Sequence, residues 1–171
     1  MQAALVSWLM AAIISWTPNQ GKSEERMELL QSIADDIVSV VYSEAPVFRG
    51  RYSRAHTALL VASVGALESR FDPRIQQGKC RRGECDGGHA YCFMQIHPEG
   101  MSGQELIASQ RTCFRVGLSM IRRALRRSGG KDIRSYTGET GEDAPGSEAR
   151  MKLARDFLAT HPPPVADEDF E

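Results

Sequence analysis

The sequence predicts a mainly helical protein with little or no sheet, built as one compact domain around a single core. Three observations lead there. Apolar residues recur every three or four positions in one segment after another, the period of a helical face. Capping and stop residues bracket those segments, Ser before them and Pro or Gly after. The chain of 171 residues, 42% hydrophobic and 25% charged, is also long enough to bury a core unaided. A net charge of -1 gives no reason to expect nucleic acid or an anionic membrane as the main partner.

The chain divides into an apolar N-terminal segment (1–22), a globular domain (23–160) and a Pro-rich acidic tail (161–171). Residues 1–16, MQAALVSWLMAAIISW, are apolar nearly all round a helix. Sixteen helical residues reach only about 24 Å, short of the ~30 Å hydrocarbon core. A secretory leader would carry Lys or Arg ahead of its apolar run, whereas the first basic residue here is Lys22. An atypical export or membrane-associating segment, a docking helix and a core helix all fit the pattern. Trp8 and Trp16, eight apart on one face, favour a membrane or assembly contact through residues 1–16.

Ser23 is placed to cap the next helix, with Glu24 and Glu25 suited to its N-terminal dipole. Met27, Leu30, Ala34, Ile37 and Val41 form its inner face, and Pro46 stops it by Ala45. A second helix runs from about Ser53 to Ser69 and ends at Asp72-Pro73. Residues 74–90 are Gly-rich without apolar period and read as a loop; YCFMQI is a short strand or extended run, and Leu106–Gln110 a helical turn or two. The strongest amphipathic pattern covers Arg111–Arg127, with Cys113, Val116, Gly117, Met120, Ile121, Ala124 and Leu125 inward. Its outer arginines suit the C-terminal dipole, and Gly129-Gly130 is its stop. Ser147 then caps a last helix with Met151, Ala154, Phe157 and Leu158 inward, and the acidic tail after it has no means of packing itself.

Four cysteines, three of them within thirteen residues, favour disulfides in an oxidising compartment. His89 and His97 lie among them, but the spacings lack the tight Cys-x2-Cys pair of common zinc sites, so no metal is expected. Sequence alone does not fix the pairing; the most local arrangement is Cys80–Cys85 with Cys92–Cys113.

Glu68 raises the chemical question. It follows an apolar run, Leu59 to Leu67, on the greasy side of its helix and in the last turn. Burial and the helix dipole's negative end both push a carboxyl pKa up there. A carboxyl held protonated near neutral pH is what general-acid cleavage of a glycosidic bond needs. The helix pattern alone favours a plainer reading, a surface Glu paired with Arg70 or Arg74.

Four segments change the weighing: ALESRFDP (66–73), GECDGGHA (83–90), CFMQIHP (92–98) and RSYTGETG (134–141). In order and spacing they resemble the lytic transglycosylases of the goose-lysozyme-like superfamily, across about residues 50–140. That family carries a catalytic Glu-Ser pair ending a helix, then Gly-Leu-Met-Gln-Ile, then Ala-Tyr-Asn-Gly. The sequence departs from the pattern at Cys92-Phe93, where the family has Gly-Leu, and at Thr137, where it has Asn. The resemblance implies a lysozyme-like α+β fold and Glu68 as the single catalytic acid/base. It further implies that Ser69 touches the substrate, that Phe93, Met94, Gln95 and Ile96 line the cleft, and that Tyr136 orients Glu68. No cofactor is implied. The partner would be peptidoglycan glycan strands, in a bacterial envelope or on a phage virion.

Ordinary glycosidases need a second carboxylate, for which Asp72, Glu84, Asp86 and Glu99 are the candidates. Asp72 precedes a proline and suits a turn, while Glu84 and Asp86 stand in the Gly-rich loop. The expectation is therefore non-hydrolytic cleavage by one glutamate. A hydrolytic muramidase and a non-catalytic wall-binding virion protein are the alternatives.

Overall fold

The structure, a computed structural model, describes residues 2–18, 23–140 and 143–164. Its long helices are α1 (Gln2–Trp16), α2 (Glu24–Ser43), α3 (Ser53–Glu68), α7 (Gln110–Arg127) and α9 (Pro145–Thr160). Between them lie the short α4 (Pro73–Gln76), α5 (Cys85–Gly88), α6 (Gly103–Ala108) and α8 (Arg134–Thr137). Among the described residues the only β feature is an antiparallel bridge between Tyr91 and Ile96. The class is mainly α, as the sequence predicts.

Helix α3 is the central element. Twelve of its sixteen residues are buried, and α1, α2, α7 and α9 all pack against it. Its abundance of Ala, Ser and Gly lets neighbouring backbones approach on every side. Ser63, wholly buried, satisfies its hydroxyl on the Leu60 carbonyl (2.9 Å) and on the Arg150 carbonyl of α9 (3.0 Å). Gly65 is needed because the Phe71 ring folds back over it: an added Cβ would sit 2.5 Å from Phe71 Cε1.

Helix α2 starts as predicted, with the Ser23 side chain accepting from the Arg26 amide. Helix α7 begins one residue before the predicted Arg111, capped by Ser109. Its buried stripe is rotated slightly from the expected one: Phe114 and Leu118 are fully buried, Val116 and Met120 only half. Both arrangements keep Cys113, Gly117, Ile121 and Ala124 inward.

The N-terminal segment joins the core, and two expectations, at Ser147 and in the tail, are corrected. Helix α1 is a core helix: Leu5, Val6, Leu9, Ala12 and Ile13 are buried against α2 and α3. Trp8 and Trp16 meet the Phe157 ring edge-on, at centroid distances of 5.5 and 5.7 Å, so their shared face is turned to α9. No helix among the described residues is long and apolar enough to cross a membrane. Ser147 is not a cap. Helix α9 begins at Pro145, and the buried Ser147 hydroxyl accepts the Ile133 amide (2.8 Å) instead. The first tail residues also pack, since Trp8 Nε1 donates to the His161 carbonyl (2.9 Å) and the His161 ring stacks on Phe157. Most of the acidic stretch, 165–171, lies outside the described residues, as do 19–22 at the expected 22/23 boundary.

The cysteines pair as Cys80–Cys85 and Cys92–Cys113. Such bridges belong to an oxidising, extracytoplasmic setting.

Gly65→Ala drives a methyl group into the Phe71 ring and is expected to destabilise the fold by about 1–3 kcal/mol. Urea unfolding checks this. A Gly65→Ala/Phe71→Leu double variant should lose less than the sum of the two single losses, because the clash is shared.

Candidate active site

The C-terminus of α3 leaves its last carbonyls without helical partners, a shortage every helix end must meet. Here the chain reverses at once: Arg70 and Phe71 adopt left-handed backbone (φ 53° and 54°). Arg26 of α2 reaches in and clasps this turn, Nη1 donating to the Phe71 carbonyl (2.6 Å) and Nη2 to the Arg70 carbonyl (3.0 Å). Ser69 closes it from inside. Its hydroxyl donates to the Gly65 carbonyl and accepts the Phe71 amide, both at 3.1 Å. Asp72 is the N-cap of α4, accepting from the Arg74 amide, in keeping with the turn role its place before Pro73 predicts.

Phe71 then packs on Phe93, which stacks on Phe114 of α7. Residues 91–96 form a tight hairpin-like turn closed by paired Tyr91 and Ile96 backbone bonds (3.0 and 2.9 Å). Cys92–Cys113 ties it to α7, and the buried Gln76 amide accepts from the Phe93 N–H (3.2 Å). Met94 lies on Gly117, where an added Cβ would come within 2.4 Å of its methyl. The Met94 carbonyl accepts the Tyr136 hydroxyl (2.6 Å), which fastens α8 to the turn.

Glu68 emerges at the end of this framework. Arg150 Nη2 of α9 donates to Glu68 Oε1 at 2.8 Å, and the two side chains are 12% and 21% exposed respectively. Arg150 is fixed in turn by Nη1 donating to the Gly146 carbonyl (2.6 Å). Desolvation pushes the Glu68 carboxyl above the ordinary glutamate value and outweighs Arg150, which pulls it down; Asp86 adds a smaller upward push. Tyr136 belongs to the same electrostatic cluster: burial first, then the Glu68 carboxylate, raise its phenol well above the ordinary value, against Arg150.

The structure brings some of the expected residues together and removes others. Glu68 and Tyr136 share one cluster, but the Tyr136 hydroxyl bonds the Met94 carbonyl rather than Glu68. Ser69 is buried with its hydroxyl committed to the turn, so it does not face a substrate. Phe93, Met94 and Ile96 line no cleft, because their side chains are at most 1% exposed in the core. Gln95 alone of that segment is partly exposed, its amide donating to the Cys92 carbonyl and the Cys85 sulfur. Neither Arg70 nor Arg74 pairs with Glu68; Arg74 holds Asp72 and Glu84 instead. Thr137, where the family pattern has Asn, donates to Glu139 (2.5 Å), whose carboxylate also takes the Gly146 and Ser147 amides. Thr137 thus helps hold the start of α9.

Arg150 is the site residue that sequence reasoning missed. It stands beside the inward-facing Met151, which is a weak signal, and nothing local says that α9 lies along α3. Asp86 is exposed, hydrogen-bonded to His97 (2.7 Å), on a loop that Cys80–Cys85 staples shut. Cavities of about 650, 290 and 350 Å³ open elsewhere on the surface, none of the three lined by Glu68. Compared with protein-family models, curated proteins and solved structures, the chain matches none.

A carboxyl raised by folding favours the folded state most while protonated. Its contribution is complete below the unfolded glutamate pKa and is lost as pH rises through the folded value. Glu68→Gln, which is neutral throughout, should therefore be more stable than the parent at pH 7. That margin should shrink as pH falls through the folded value and reach its minimum below the unfolded one. Thermal unfolding of both proteins across pH 3–8 reads this directly.

Proposed function

We propose that this chain is a peptidoglycan lytic transglycosylase using Glu68 as its single acid/base. It would act on glycan strands outside the cytoplasm, in a bacterial envelope or from a phage virion. The observation that carries the reading is Glu68 itself. It is a desolvated carboxyl raised in pKa at the solvent-reaching end of the most buried helix, with a guanidinium 2.8 Å away. The order of the Glu-Ser, Met-Gln-Ile and Ser-Tyr segments supports the substrate class.

Glu68 protonates the oxygen between N-acetylmuramic acid and N-acetylglucosamine, and the C1–O bond breaks. The substrate's own N-acetyl oxygen closes on C1. Glu68, now ionised and held by Arg150, takes the proton of the C6 hydroxyl as O6 attacks C1 and displaces the N-acetyl oxygen. A 1,6-anhydro ring results and Glu68 is protonated again. The attacking oxygen is tethered, so no second carboxylate has to position water. Arg150 favours the ionised half of this cycle and desolvation the protonated half, which suits a residue that must be both acid and base.

One observation favours hydrolysis as the second reading. Asp86, anchored by His97 on a stapled loop, is close enough to act on the Glu68 carboxyl and could orient a water.

Digestion of purified peptidoglycan by wild type and Glu68→Gln tests both. Loss of the acid should lower the rate by about 10²–10⁴-fold. Mass spectrometry of the wild-type products should show anhydro-muropeptides. Products heavier by one water would assign muramidase action, and unchanged lysis by Glu68→Gln would remove Glu68 from the chemistry. Binding to the wall without turnover would leave a structural, wall-binding role.

A further inference from the structure

We propose that the outer face of α7 is a docking surface for a linear phosphodiester polymer of the cell exterior, held by charge and independent of the chemistry at Glu68.

Helix α7, QRTCFRVGLSMIRRALRR, holds six arginines and no acid, in a chain whose net charge is -1. At about 100° per residue, Arg111, Arg115, Arg122, Arg123, Arg126 and Arg127 fall within an arc of roughly 160°, along about 24 Å of helix. The buried residues of α7, from Cys113 to Leu125, occupy the rest. The helix itself gains little from this pattern. Only Arg126 and Arg127 lie in the last turn, where the dipole rewards a cation. Arg111 stands in the first turn, where the dipole penalises one, and no acid stands there to offset it. Arg111 with Arg115, Arg122 with Arg126 and Arg123 with Arg127 are like charges four apart, which repel. An ordinary solvated helix face interleaves the two signs.

Neighbouring carboxylates meet three of the six arginines. Asp36 of α2 holds Arg111 (2.8 Å), Glu44 meets Arg122 (3.6 Å) and Glu99 meets Arg123 (3.3 Å). Arg115, Arg126 and Arg127 are exposed and form no salt bridge among the described residues. Lys131, just past the end of the helix, is a fourth cation of this kind.

The same features select the occupant. Free charge of one sign along an extended ridge suits a chain of repeated anions better than a single small ion. Guanidinium groups grip the paired oxygens of a phosphate as a fork. The one aromatic residue of α7, Phe114, is buried, so the ridge has no ring on which a nucleic-acid base would stack. Among the described residues the only large apolar side chain left exposed is Leu67, on α3, so the ridge has none to enter a bilayer. The two disulfides belong to an extracytoplasmic setting. A polymer recognised by its phosphates alone, without bases or acyl chains, fits all of these.

The test is a calorimetric and NMR titration of the full chain with synthetic poly(glycerol phosphate), repeated across a salt series. Saturable binding is expected, weakening steeply as salt rises. Arg115→Gln/Arg126→Gln/Arg127→Gln should lose about tenfold or more in affinity at low salt. It should also flatten the slope of log K against log salt by about 2, or ~0.7 for each cation removed. Lys79→Gln/Arg81→Gln/Arg82→Gln removes the same charge from another segment and should stay within about twofold of wild type, since salt screens distant charge. Shifts in the wild-type chain should centre on Arg115, Arg126 and Arg127, which locates the contact whatever the variants do. Glu68→Gln should bind as wild type does, so the result stands apart from the lytic reading. No saturable binding, equal losses in the two triple variants, or shifts centred elsewhere overturns the proposal. A preference of roughly tenfold for single-stranded DNA, for polyglutamate of equal charge or for anionic phospholipid vesicles also overturns it, assigning the ridge to that partner instead.

Discussion

Everything at the candidate site depends on how the chain leaves α3. A helix buried on nearly every side cannot give its last carbonyls to water, so they must be met from within the protein. Arg26 meets two carbonyls of the turn beyond it, and the Ser69 hydroxyl meets a third in the last turn. Burial disfavours the Arg26 charge, and the Asp72 carboxylate partly offsets this. Because the turn is closed in this way, Phe71 folds back onto Gly65 and becomes the first ring of a short aromatic stack through Phe93 to Phe114. That stack and the Cys92–Cys113 bridge fix the 91–96 turn, whose Met94 carbonyl anchors Tyr136. Glu68 is held still as a consequence, one residue before the clasped turn.

Two effects of opposite sign then act on one carboxyl. Removal from water penalises the anion, while the guanidinium of Arg150 rewards it. The balance falls on the side of the acid, and the nearby Tyr136 phenol is made less acidic by the same surroundings. A fully solvated Glu–Arg pair would have settled on the other side, as exposed acids beside cations do. The partial burial of both side chains is what distinguishes this pair from an ordinary surface salt bridge.

Much of the helical frame is legible in the sequence, because amphipathic periods and caps are local signals. Ser23, Pro46, Asp72-Pro73 and Gly129-Gly130 mark ends that the structure places within a residue or a few. The site is less legible, because its wall is made by tertiary approach. An all-apolar α1 has no polar face to say which side packs, and its burial of Leu5, Leu9 and Ile13 against α2 and α3 is set by tertiary approach. The segment CFMQI carries a recognisable motif, yet left-handed backbone at Cys92 and Gln95 turns Phe93, Met94 and Ile96 inward. Arg150 comes from a helix some eighty residues away and could not be paired with Glu68 by any spacing rule. The apolar run ahead of Glu68 marks its burial, while the partner that tunes it is visible only in three dimensions.

The central claim is that desolvation outweighs Arg150 and keeps a proton on Glu68 beyond the range of an ordinary carboxyl. Carbon-13 NMR titration of the Glu68 side-chain carboxyl, in wild type and in Arg150→Gln, measures this at the atom concerned. The account predicts a wild-type midpoint above the ordinary value of 4.5, rising further when Arg150 is removed. A wild-type midpoint at or below 4.5 would contradict it.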